Sequence, residues 1–166
     1  MSSFALQQLL RGVSASTCLA VAFGLLGSGA FAQGAAGPSL SASSFSSDFA
    51  AMAQLKALAT QGKGKIGILL PETATSARYT SFDAPYLQKA LEAAGLPANQ
   101  FIITNAQGSE ATELTEAQSD ISQGATVLLM DPISSGVGAA IETYAKSHGV
   151  PVIDYDRVTL GGSRDY

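Results

Sequence analysis

The sequence predicts an α/β fold with a doubly wound parallel sheet, and three observations carry that expectation. Four short apolar runs recur along residues 65–153. Segments with helical spacing of apolar residues alternate with them. The connections between runs are about 20 to 30 residues long, too long for hairpins and long enough for helical crossovers between parallel strands.

Lys65-Ile-Gly-Ile-Leu-Leu70 is a continuous apolar run, the mark of a strand buried on both faces. A helix is expected over about Ser81 to Ala94, with Tyr86, Leu87, Ala90, Leu91 and Ala94 inward and Gly95 and Pro97 as its stop. The second strand is Phe101 to Thr104. Ser109 is expected to N-cap a helix in which Leu114, Ala117 and Ile121 share a face, Glu110 and Glu113 favour the positive end, and Gly124 closes the run.

Val127 to Met130 is the third strand. After Asp131-Pro132, a third helix is expected to turn Val137, Ala140, Ile141 and Tyr144 inward and to end at His148-Gly149. Val150 to Ile153 is the fourth strand. Four strands followed by a polar Gly-Gly-Ser-Arg-Asp-Tyr tail leave one sheet edge uncovered, which sheets normally avoid.

The N-terminus reads as an export signal. Residues 1–10 contain no acid, Arg11 is basic, Cys18 to Leu26 is apolar, and Ala30-Phe31-Ala32 suits signal peptidase, so cleavage is expected after Ala32. The apolar run is short and broken by Gly24 and Gly27, which weighs against a membrane span. Cys18 precedes that run, which weighs against a lipid anchor. Residues 33–64 read as a flexible leader rich in Gly, Ala and Ser with a short helix near Ala50 to Ala59, and 65–166 as the folded unit.

With 46% apolar and 13% charged residues among 166, the chain can bury a core. Its net charge of -4 has no basic cluster behind it, which points away from nucleic acid as a partner. The single Cys18 and the single His148 give no metal-binding pattern, and no cofactor is expected. His148 reads as a partner of a helix C-terminus. Gly62, Gly64 and Gly67 match a dinucleotide fingerprint, but they begin before the strand instead of after it.

In an open parallel sheet, ligands bind beyond the C-terminal ends of the strands. The loops there hold Glu72, Arg78, Asp131, Asp154, Asp156 and Arg157. Carboxylates and guanidinium groups side by side suit a neutral polyol, because each bonds two neighbouring hydroxyls. Tyr79 and Tyr155 offer aromatic faces for a sugar ring. Asp156 and Arg157 can also be read as a surface ion pair, Asp131 as a loop or cap residue and Glu72 as a loop carboxylate.

Residues 65–166 resemble the type I periplasmic sugar-binding proteins of ABC transporters, most closely the xylose-binding branch. The resemblance rests on Lys65-Ile-Gly-Ile-Leu-Leu-Pro, the Ala77-Arg-Tyr turn, Asn105-Ala, Gly124-Ala-Thr-Val-Leu-Leu-Met-Asp-Pro and Gly149-Val-Pro-Val-Ile-Asp-Tyr-Asp-Arg, in that order. It implies sugar binding without catalysis, with contacts at Arg78, Tyr79, Asp156 and Arg157 and a membrane permease as partner. It also implies a second lobe. The chain is therefore expected to be an incomplete N-terminal lobe that binds weakly by itself, and a truncated gene product without activity fits the same resemblance.

Two other functions fit the fold class. A flavodoxin-like redox domain would use Thr73, Thr75 and Ser76 for a flavin phosphate, although this loop lacks the glycine that closes backbone amides around one. A sugar-sensing repressor would need an N-terminal helix-turn-helix where the export signal stands.

Overall fold

The computed structural model describes residues 39–166. The export signal expected over residues 1–32, and the first part of the leader, lie outside the described residues. The leader's later part holds two 3-10 turns, Ala42–Ser44 and Ala50–Leu55, the second running into a one-turn helix α1, Lys56–Ala59. Ala51 is buried, and Phe49 packs edge-on against Tyr86 at 6.0 Å between centroids.

Four strands form one parallel sheet: β1 (Lys65–Leu70), β2 (Phe101–Asn105), β3 (Ala125–Met130) and β4 (Val152–Asp154), in the spatial order β2-β1-β3-β4. β1 is paired on both edges, with Ile68 opposite Ile103 on one side and Leu129 on the other. The chain therefore winds one way from β1 to β2 and the other way through β3 to β4. Its helices are α2 (Ala84–Ala93), α3 (Glu110–Ser122) and α4 (Ser135–Ser147).

Alternation along the strands feeds two cores, as the pleat requires. Leu69, Leu128 and Met130 pack with Ala117, Val137, Ile141 and Ala145 of α3 and α4. Ile68 and Leu70 face the other way and pack with Tyr79, Leu87 and Leu91. Ser109 and Ser134 cap α3 and α4 by accepting from Thr112 N and Val137 N, so both helices start where the sequence places a hydroxyl.

The inward faces differ from the sequence expectation. α3 turns Glu113, Ala117 and Asp120 into the core, with Leu114 and Ile121 only partly buried beside them. α4 buries Val137, Ile141, Glu142 and Ala145, while Ala140 is exposed. Tyr86 of α2 is also exposed. In α3 and α4 the shift has one cause: a carboxylate occupies an interior position, where a purely apolar reading rotates the face away from it.

The edge expected to be uncovered is met by the tail. Asp165 N and Tyr166 N donate to Val152 O at 2.9 and 3.3 Å, and Asp154 N donates to Tyr166 O at 3.0 Å, which continues parallel pairing beyond β4. Glu142 holds the approach to this segment by accepting from Ser163 N.

Gly67 lets α3 approach the sheet. A Cβ there would stand 2.6 Å from Leu128 Cδ2 and 2.9 Å from Asp120 Oδ2, closer than atoms pack. Gly67→Val is therefore expected to destabilise the domain by about 1–3 kcal/mol. Thermal unfolding followed by circular dichroism measures this, and an unchanged midpoint would contradict the packing described.

Candidate functional site

The winding reversal opens a crevice at the C-terminal ends of β1 and β3, where the loops after β1, β3 and β4 meet. The loop after β1 ends in a π-helical turn, Tyr79–Asp83, that leads into α2. This turn spaces residues five apart onto one side. It brings Asp83 under Arg78, whose Nε donates to Asp83 Oδ2 at 2.8 Å.

Arg78 also reaches the loop after β4. Its Nη1 donates to both carboxylate oxygens of Asp156 at 3.1 Å. Tyr155, beside Asp156, donates its hydroxyl to Asp83 Oδ1 at 3.2 Å. Hydrogen bonding to Asp156, with Tyr155 and Asp83 nearby, raises the proton affinity of the Arg78 guanidinium further. Burial, then the neighbouring Asp83 charge, raises the Tyr155 phenol above its ordinary value.

Asp156 takes a left-handed conformation, φ 64°, and Arg157 N donates to Tyr155 O at 2.7 Å, closing a three-residue turn around it. Positive φ is uncommon outside glycine, and Asp tolerates it better than most residues. The turn sends neighbouring Asp156 and Arg157 to different partners. The alternative that these two form one ion pair with each other does not hold: Asp156 pairs with Arg78, and Arg157 pairs with Asp131, its Nε 3.5 Å from Asp131 Oδ1.

Arg157 is held from three sides. Besides Asp131, its Nη1 donates to Pro132 O at 3.2 Å and its Nη2 to Tyr79 Oη at 2.9 Å. Asp131 is the first residue of the loop after β3, as expected, but it is fully buried there and lies against Arg157; the cap of α4 is Ser134. The Tyr79 ring is only 3% exposed and belongs to the core with Ile68 and Leu70, so it offers no face for stacking in this structure. Its hydroxyl reaches Arg157 instead, and burial raises its pKa. The ring expected to cover a sugar thus lies in the core here, with its hydroxyl toward the crevice. Tyr155 is half-buried, with its hydroxyl on Asp83.

The other loop carboxylates serve the loops. Asp154 accepts from Thr159 N at 2.6 Å and lies 3.6 Å from Arg164 Nε. Glu72 accepts from Thr75 N at 2.6 Å and from the Thr75 hydroxyl, and these bonds hold its carboxyl below the usual range. The Thr75 donors that a flavin phosphate would need are therefore engaged. His148 stacks near Tyr144, and its Nδ1 lies 2.9 Å from Tyr144 O at the end of α4. Among the described residues, no group of His, Cys, Asp and Glu side chains is arranged to hold a metal ion, and no helix is long and apolar enough to cross a membrane.

Two contributors escaped the sequence reading. Asp83 lies inside an apolar helical pattern, and five-residue spacing to Arg78 is not an α-helical pairing. Glu113 looked like a first-turn acid, yet it accepts from Ile133 N at 3.1 Å and so fixes the loop after β3 from inside.

Chains of known structure share this fold. A carbohydrate transporter solute-binding protein from Chloroflexus aurantiacus, in complex with D-glucose, is 34% identical with a TM-score of 0.51, over 57% of this chain and 26% of its own. An ABC transporter solute-binding protein from Clostridium phytofermentans with bound β-D-glucose is 23% identical with a TM-score of 0.53, over 59% of this chain and 29% of its own. One from Mycobacterium smegmatis with bound glycerol is 24% identical with a TM-score of 0.51, over 61% and 34%. No family model and no curated protein matches the sequence.

The described region has the type I periplasmic-binding-protein fold, as a partial domain. Its similarity is to solute-binding proteins of carbohydrate and ABC transporters with bound glucose or glycerol, of which it spans about a quarter to a third of the length.

Burial pushes Glu113 and Asp120 up to about 7, and Asp131 to about 6, with Ile133 N, Lys65 and Arg157 respectively opposing the shift. Each holds its proton more tightly folded than unfolded. Their stabilisation is thus complete below the ordinary carboxylate range and is lost as pH rises through about 6 to 7. The melting temperature is expected to fall between pH 5 and pH 8, and Asp120→Asn to flatten that fall. A midpoint constant or rising over this interval would contradict the assignment.

Proposed function

We propose that this chain is a sugar-binding component of an ABC-type carbohydrate importer, contributing one wall of a binding cleft. The observation that carries the reading is the contact of Arg78 with Asp156, which joins loops 78 residues apart in sequence at one crevice. Guanidinium and carboxylate groups held together present both donors and acceptors, as a neutral polyol requires. The kinship with solute-binding proteins that hold glucose and glycerol supports the same ligand class.

On this reading Arg78, Asp156 and Arg157 face the sugar, while Asp131 and Tyr79 act from behind Arg157. The protein binds without catalysing a reaction and presents its ligand to a membrane permease. A second lobe supplies the remaining contacts and closes the cleft by a hinge motion. Residues 1–32 direct export, so the working compartment is the periplasm or the exterior.

Titration of the 15N-labelled chain with D-glucose tests the site. Shifts at the amides of Arg78 and of Tyr155 to Arg157 with millimolar affinity are expected, because one wall gives neither enclosure nor the full set of hydrogen bonds. An unperturbed spectrum would overturn the sugar reading, and micromolar affinity by calorimetry would overturn the need for a second wall. Separately, expression in a bacterial host followed by N-terminal sequencing should find Gln33 first in the exported protein, and retention of Met1 would contradict the export signal.

A further inference from the structure

We infer that Asp83 is a positioning residue that orients Arg78 and Tyr155 in the crevice. Asp83 is a nearly buried carboxylate at the end of the π-helical turn, 8% exposed, and its two oxygens serve two different loops. Oδ2 takes the Arg78 Nε–H at 2.8 Å, and Oδ1 takes the Tyr155 hydroxyl at 3.2 Å. It thereby ties the loop after β1 to the loop after β4, alongside the Arg78–Asp156 and Arg157–Tyr79 contacts.

The geometry decides what Arg78 offers a ligand. Guanidinium has five N–H donors in a rigid planar fork. With Nε fixed on Asp83 and Nη1 on Asp156, the plane of the fork is set at two of its three nitrogens, and Nη2 is the remaining edge. Without Asp83, Arg78 would keep its half-exposed contact with Asp156, the two side chains being 40% and 32% exposed, and its place 5.3 Å over the Tyr79 ring, but no buried charged partner. Such exposed pairs hold a side chain weakly. Asp83, with its side chain only 11% exposed, supplies the stiffer anchor.

This role rests on the sugar-binding reading only for what Arg78 addresses, so the test separates the two. In the full chain, solvent exchange of the Arg78 Nε–H is read by NMR, and the Tyr155 phenol is titrated by ultraviolet difference against Tyr155→Phe. In Asp83→Asn, which keeps the side-chain shape, Arg78 Nε–H exchange is expected to accelerate severalfold and the Tyr155 pKa to fall. In Arg78→Gln, which leaves Asp83 intact, the Tyr155 pKa is expected to rise, because a lowering partner has been removed.

Unchanged exchange and an unmoved Tyr155 titration in Asp83→Asn would overturn the role. An unmoved Tyr155 in Arg78→Gln would overturn it as well, should Asp83→Asn not fold. D-glucose then supplies the functional arm: its shifts at Tyr155 to Arg157 should weaken in Asp83→Asn, and shifts equal to the parent's would overturn the role in binding. A parent chain without any glucose response, together with the expected exchange and titration changes, would sink the sugar reading and leave the positioning of Arg78 by Asp83 standing.

Discussion

Every feature of the crevice depends on β1 being hydrogen-bonded on both edges. Parallel pairing to β2 on one side and β3 on the other makes the winding direction reverse there, and the loops that leave β1 and β3 must then diverge. The pairing also forces helices onto both faces, because right-handed crossovers in opposite directions end on opposite sides. Gly67, at the centre of β1, allows α3 to lie close enough to seal one of those faces.

Within the crevice, charge is arranged in two units that share no side-chain hydrogen bond with each other; the backbone joins them where Arg157 N donates to Tyr155 O. Arg78, Asp83, Asp156 and Tyr155 make one; Arg157, Asp131, Tyr79 and Pro132 make the other. Each guanidinium already has a carboxylate partner, so an anionic ligand would have to displace one. A neutral hydroxylated ligand can instead share both members of a pair. The buried Asp131 differs from the rest: its raised pKa reflects desolvation that Arg157 offsets only in part.

The strands were readable because a parallel sheet buried on both faces needs uninterrupted apolar runs, and each run here is bounded by turn residues such as Gly64, Pro71, Gly124, Pro132 and Gly149. The loops holding Arg78, Asp131, Asp156 and Arg157 followed from strand direction alone. What the residues could not disclose was pairing. Asp156 and Arg157 are adjacent, and only the positive φ of Asp156 sends them apart. Tyr79 is aromatic and next to Arg78, but the π-helical turn rolls its ring into the core. Glu113, Asp120 and Glu142 are interior carboxylates, and a pattern that assigns charge to the outside must misplace the faces of α3 and α4 around them.

The loops after β1 and β4 converge on one mouth through Arg78 and Asp156. A double-mutant cycle on unfolding free energy with Arg78→Ala and Asp156→Ala measures that convergence directly. The structure predicts a favourable coupling of about 0.5–1 kcal/mol, as for a partly exposed pair bonded through two oxygens. Strictly additive effects of the two substitutions would contradict it.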